Sequence, residues 1–200
     1  MTTAERLSVV VQADWVAGPQ QGQWTYEDYA AIPEDGHRYE VVNGVLYMSP
    51  SPGVPHQGSV ARFVHYLFAH VELAGLGRVF SGPLDVELSD KNVVQPDVLV
   101  VLKQHRDRIR KTRIIGAPDL VIEIASPSTA RHDQRAKLDA YAGAGVPEYW
   151  VIDPDAQTVK LLILKNGVYC SRGAFSGQAV LPSQVVPELP VRVEQFFSEE

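Results

Sequence analysis

The chain has 200 residues, 45% of them apolar and 21% charged, with a formal net charge of −6. That length suits one domain with a sizeable core, and that composition excludes a disordered chain. Cys170 is the single cysteine, which excludes an internal disulfide and a cysteine-rich zinc site and fits a reducing compartment.

Net acidity argues against indiscriminate coating of nucleic acid, although a local basic surface is what meets phosphate. The apolar stretch 7–11 is too short for a signal-peptide core and soon meets Asp14. No segment approaches the roughly 18 uninterrupted apolar residues of a membrane span. The expectation is a cytoplasmic protein with no membrane partner.

Residues 1–23 show no steady period and contain Gly18-Pro19-Gln20-Gln21-Gly22, which predicts a loosely packed N-terminal arm. Thr25 reads as the N-cap of a short helix through Tyr26, Tyr29 and Ala30, ended near Pro33. Residues 39–47 predict a hairpin, because Asn43-Gly44 supplies the positive φ angles of a two-residue turn between β-rich arms. The Pro-rich run 49–53 is a loop. From residue 57 to 73 the apolar positions Val60, Phe63, Val64, Leu67, Phe68 and Val71 line one helical face.

Leu84, Val86 and Leu88 alternate with Asp85 and Glu87, the pattern of a half-buried strand. Residues 98–102 and 120–125 are apolar throughout, apart from Glu123, as strands covered on both faces are. Residues 130–142 are helix-prone. Two further strands are predicted over 149–152 and 159–164, then a turn at Asn166-Gly167 and a last helix over 193–197. These elements predict an α/β core on a mixed central sheet flanked by helices. The domain runs over residues 24–170, with an extension over 171–200 packed on it.

Glu123 is the informative residue, since a carboxylate inside an apolar strand is costly unless paired or bound to a metal. Asp97 follows Pro96 at the mouth of another apolar strand. If the two strands are neighbours, both acids converge, and hard oxygen ligands of this kind suit Mg²⁺ or Mn²⁺. Asp119 also follows a proline, but it lies roughly 13 Å from Glu123 along one extended strand, so it marks the strand entrance and Asp97 is the better ligand. Asp133, Lys137 and Tyr141 share a helical face just after the Glu123 strand. Lys137 is placed to point back at the acids and neutralise developing charge or orient a water.

Pro96-Asp97, then Glu123 in an apolar strand, then a lysine resemble the PD-(D/E)xK nuclease superfamily. A closer resemblance is to the Uma-type restriction endonucleases, first catalogued as a domain of unknown function, carried by Tyr39-Glu40-Val41-Val42-Asn43-Gly44, Ser49-Pro50-Ser51-Pro52, His56-Gln57 and Gln95-Pro96-Asp97-Val98. Pro118-Asp119-Leu120-Val121-Ile122-Glu123, Ser126-Pro127-Ser128-Thr129, then Asp133, Lys137, Tyr141 and the run from Gly145 through Trp150 to Pro154 complete that pattern. The resemblance implies a restriction-endonuclease-like core with N-terminal hairpin additions and Mg²⁺- or Mn²⁺-dependent cleavage of nucleic acid, DNA before RNA. It makes Asp97 and Glu123 metal ligands and catalytic residues, with Glu40 an additional acidic ligand. It also suggests phosphate or water contacts for His56, Gln57 and Gln95. The simplest superfamily pattern has lysine two residues after the acid; Ala125 stands there, and Lys137 is its substitute from the next helix.

Plainer readings accompany these. Asp97 and Glu123 could be a strand-end cap and a buried ion pair with Lys137, Glu40 an outward residue paired with Arg38, and His56 an ordinary helix-start residue. Asp133 reads equally as a first-turn helix charge, and Tyr141 as packing. The run 103–113, with six Lys/Arg against one acid, is either a phosphate-contacting rim or a solvated surface. A binding module without turnover, or a structural protein, would use the same fold. A homodimer fits the habit of nucleases that cut two strands and the frequency of closed two-fold assemblies.

Overall fold

The computed structural model describes residues 10–125 and 131–197, with no side-chain description for 131–134. The first part of the chain builds a sheet around the Asn-Gly hairpin. Strands β2 (Arg38–Val42) and β3 (Val45–Ser49) are joined by Asn43 and Gly44 at φ 51° and 72°, the two positive angles the sequence anticipates. Gly44 is needed for a second reason: a Cβ there would lie 2.5 Å from the Gly22 carbonyl oxygen. Strand β1 (Val11–Gln12) pairs with β3, and Gly22 and Trp24 donate their N–H groups to the Gly44 carbonyl. The second half of the expected loose arm is therefore bound to the hairpin, with Ala13 and Trp24 buried against it.

Helix α1 (Tyr26–Ala30) starts at Thr25, whose hydroxyl and N–H form a capping box with Asp28. Helix α2 (Val54–Leu67) begins after the Pro-rich loop and runs into one wider turn over Phe68–Glu72. Strands β4 (Gly77–Ser81), β5 (Val86–Ser89), β6 (Asn92–Val94), β7 (Val98–Leu102), β8 (Ile114–Ile115) and β9 (Leu120–Ile124) follow. Helix α3 (Arg131–Ala144) then leads to β10 (Glu148–Asp153), β11 (Thr158–Lys165) and β12 (Val168–Ser176).

The expectation of one central sheet is corrected: the described residues form two six-stranded sheets, ordered β1-β3-β2-β6-β5-β8 and β12-β11-β10-β9-β7-β4. Each is mixed, with one parallel pair, β5–β8 in the first and β9–β10 in the second. The β2–β3 hairpin is thus built into the first of these sheets rather than added to the edge of the other. Two later strands of that sheet, β6 and β8, have three and two residues, too few to write a periodic pattern in the sequence.

Alternation along the second sheet sends its two faces to different partners. Val98, Val100, Leu120, Ile122, Trp150 and Ile152 pack against α2 and the C-terminal segment, where Phe63 stacks on Phe196 at 4.2 Å. Leu99, Val101, Val121, Tyr149 and Leu162 face the other way, onto α3 and the first sheet. Helix α3 is the crossover of the parallel β9–α3–β10 unit, and Ala140 and Tyr141 fill the space between the sheets. The chain beyond residue 170 is part of this core: β12 crosses the expected boundary, and Leu181, Val186, Leu189, Val193 and Phe196 are buried. The predicted last helix is a single 3₁₀ turn, Val193–Phe196. The loop 126–129 and the side chain of Asp133 lie outside the described residues. Among the described residues no helix is long and apolar enough to cross a membrane.

Candidate active site

Strands β7 and β9 are antiparallel neighbours, with Val98 opposite Ile122. Continuing that register sets Asp97 opposite Glu123, the convergence that makes two chain-distant acids local. Glu123 is in turn level with Val151 on β10, and Val151 with Lys160 on β11. These positions form one row across the sheet, and all four side chains line a cavity of about 490 Å³.

Asp97 is buried and firmly held. Its Oδ2 accepts the Ile124 N–H at 2.8 Å and lies 3.1 Å from His56 Nε2. An ionised carboxylate only accepts, so the ring proton belongs on Nε2. The other ring nitrogen, Nδ1, is buried without a partner among the described residues. Helix α2 positions His56 in its first turn, after the N1/N2 proline has fixed the entry of the chain.

Lys137 reaches down from α3 into the middle of the cluster. Its Nζ donates to Glu40 Oε1 at 3.0 Å and Oε2 at 3.2 Å, and stands 3.0 Å from Glu123 Oε1. Tyr141, one helical turn on, donates its hydroxyl to the same Glu123 oxygen at 2.7 Å. Tyr141 therefore packs, as expected, and also orients the acid. Glu40 pairs with Lys137 and not with Arg38, so the plainer reading of it is overturned. Its Oε1 accepts the Gln95 backbone N–H at 2.6 Å. The Gln95 side chain is used elsewhere, donating to Asp85 at 2.8 Å and Tyr29 at 3.1 Å while accepting from Arg38 at 3.2 Å. Gln95 lines the cavity, yet its clearest role is to fix Glu40 through its backbone.

Three carboxylates share this space with one ammonium. Burial above all, reinforced by the charges of Asp97 and Glu40 and opposed by Lys137 and the Tyr141 hydrogen bond, raises the Glu123 carboxyl to about 7. The neighbouring phenols of Tyr141 and Tyr149 are driven well above their ordinary value, first by burial and then by Glu123, so both remain neutral. The hard oxygen donors of the three acids suit a divalent cation in kind. With Lys137 seated between Glu40 and Glu123, however, no three His, Cys, Asp or Glu side chains among the described residues stand as a ready-made cage.

Of the residues expected here, the fold brings together Asp97, Glu123, Lys137, Glu40, His56 and Gln95. Gln57 is exposed and outside the cavity lining. The basic run 103–113 is also placed elsewhere. It follows the far end of β7, where Arg108 donates to the Ala117 carbonyl and Arg113 pairs with Glu87 at 2.6 Å. None of its residues lines the cavity. Residues that sequence reasoning passed over do line it: Arg38, Ser49, Arg135 and Lys160. Lys160 carried a faint signal, a charge inside the apolar run 159–164; Arg135 carried none.

Similarity to known proteins agrees with this architecture. A crystal structure from Anabaena variabilis ATCC 29413, described as a putative nuclease belonging to DUF820, superposes with a TM-score of 0.73. It is 24% identical, over 86% of this chain and 97% of that one, and at that identity the likeness is one of fold. No curated protein matches. The model of the Uma2 family, described as "Putative restriction endonuclease", matches residues 26–194, and the chain belongs to that family.

Proposed function

We propose that the protein is a Mg²⁺- or Mn²⁺-dependent endonuclease that hydrolyses phosphodiester bonds, with DNA its substrate before RNA. The observation that supports this best is the convergence of Asp97, Glu123, Glu40 and Lys137, drawn from four separate elements, on one cavity. Folding alone has no need of three carboxylates around one lysine, because each buried charge costs several kcal/mol of desolvation, on the order of what its pairing returns.

Asp97 and Glu123 would hold the ion, with Glu40 able to join them if Lys137 turns toward substrate. The ion's contribution would be to polarise the phosphoryl group and offset the charge that develops on it. The chain's own groups do the rest. The Ile124 N–H and His56 keep Asp97 in one orientation. Tyr141 does the same for Glu123 through Oε1, and the other oxygen, with no partner among the described residues, can meet a ligand. The Lys137 ammonium lies among the acids, where it can meet a negatively charged oxygen as the bond breaks. Arg38, Arg135 and Lys160, around the cavity, balance the charge of the incoming strand.

The test combines Mn²⁺ titration by calorimetry with cleavage of plasmid and single-stranded DNA, comparing wild type with Asp97→Ala and Glu123→Ala. The expected result is ion binding and cleavage of at least one of these DNAs in the wild type, both lost in the two variants. Wild-type protein that binds no divalent ion overturns the metal-dependent reading. A second reading is favoured by the closed Glu40–Lys137–Glu123 arrangement: a nuclease fold that binds nucleic acid without turnover. Binding that persists in all three proteins, with cleavage in none, selects it.

A further inference from the structure

We infer that the site takes an unpaired DNA strand, one nucleotide at a time, and does not act on the interior of an intact duplex. This deepens the nuclease reading and rests on it. The first observation is depth. Asp97 and Lys137 each expose only 9% of their surface and Glu40 5%, so a phosphate must come to them inside the cavity. The cavity holds about 490 Å³, within the roughly 300–1,000 Å³ of sites that enclose single small molecules. A stretch of double helix, whose major groove alone is roughly 12 Å wide, is far larger than that. Enzymes that work on a buried base take its nucleotide out of the stack, most easily when it is already single-stranded, and a backbone phosphate drawn to this depth needs the same freedom from the duplex.

The second observation is what the walls offer. Pro50 and Pro52 of the loop after β3, Leu138 of α3 and Leu162 of β11 present apolar surface to the same cavity that holds the acids. An unstacked base can lie against them, whereas the phosphates of a closed duplex would leave them bare. The third observation is the row across the sheet. Lys160 is two strands along from Glu123, or roughly 10 Å at sheet spacing. It is exposed and lines the cavity, as does Arg135. A strand entering over Lys160 keeps its backbone on cations while one unstacked nucleotide lies against the apolar wall and reaches the acids.

The experiment presents four DNA substrates with Mn²⁺: a single-stranded oligonucleotide, its blunt duplex, that duplex carrying an unpaired flap, and a relaxed covalently closed circle. The single strand and the flap should be cut at least ten-fold faster than the duplex interior, with cuts inside the unpaired segment. Asp97→Asn, with fluorescence anisotropy as readout, should bind the single strand at least ten-fold more tightly than the blunt duplex. Lys160→Glu, at an exposed position that spares the fold, should weaken that binding several-fold. Equal or faster cleavage of the closed circle overturns this inference and leaves the nuclease reading standing. No cleavage of any substrate overturns the nuclease reading, and equal binding of single strand and duplex then overturns this one as well.

Discussion

The two ends of the β7–β9 pair make a natural comparison, because each carries a proline followed by a buried aspartate. Asp97 precedes β7 and accepts the N–H of Ile124, the last residue of β9, at 2.8 Å. Asp119 precedes β9 and accepts the N–H of Leu102, the last residue of β7, at 2.7 Å. Each also has a histidine, His56 at 3.1 Å from one and His105 at 2.7 Å from the other. The antiparallel pair is thus clamped at both ends by the same device. What separates the ends is company: Glu123, Glu40 and Lys137 gather at the first, beside a cavity, while the second carries a surface 3₁₀ turn, Lys103–Arg108. A Pro-Asp dipeptide is therefore a strand clamp by itself, and becomes a candidate catalytic element only where other segments bring charge to it.

Paired substitutions put that difference under the most strain. Asp97→Asn is expected to lower DNA cleavage roughly 10²–10³-fold, the scale of losing one charge-stabilising group. Asp119→Asn should leave cleavage within a few-fold while lowering stability by about 1–3 kcal/mol through its weakened buried acceptor. Initial rates and urea unfolding of both variants measure this. Equal losses of rate would mean that the two clamps differ in nothing that matters to chemistry.

A smaller effect concerns pH. The folded protein holds the Glu123 proton up to about 7, against an ordinary value of 4.5. Between those limits the folded state binds more protons than the unfolded one, so this group's contribution falls as pH rises through the window. Without added metal, Glu123→Gln should flatten that fall, so that urea midpoints at pH 5 and pH 8 differ less in the variant than in the wild type. Asp119→Asn should leave the fall between pH 5 and pH 8 in place. The smallest expected change is for Tyr141→Phe, which removes one hydrogen bond to Glu123 and should cost about 1 kcal/mol in urea unfolding. Its effect on cleavage should remain under ten-fold, since Lys137 still orients the same oxygen.

Much of this was legible in the chain where the governing forces are local. The Asn43-Gly44 turn, the Thr25 cap, the amphipathic face of α2 and the buried β7 and β9 strands are each dictated by residues within a few positions of one another. Glu123 and Asp97 were legible for a related reason: a charge in an apolar run declares that something distant must satisfy it. The identity of that something was only half written. Lys137 could be matched to Glu123 from one helix turn's geometry, but its partnership with Glu40, 97 residues away, comes from the first sheet packing over α3.

Local patterns in the chain define most of the elements, though not β4, β6 or β8, and mark the residues whose burial demands an explanation, because backbone preference and hydrophobic period act over short separations. The tertiary structure alone decided that there are two sheets, that the basic run 103–113 sits at the wrong end of β7 to rim the cavity, and that Arg135 and Lys160 line it. Those outcomes depend on strand order and register, which follow from packing between segments far apart in the chain and leave no local trace.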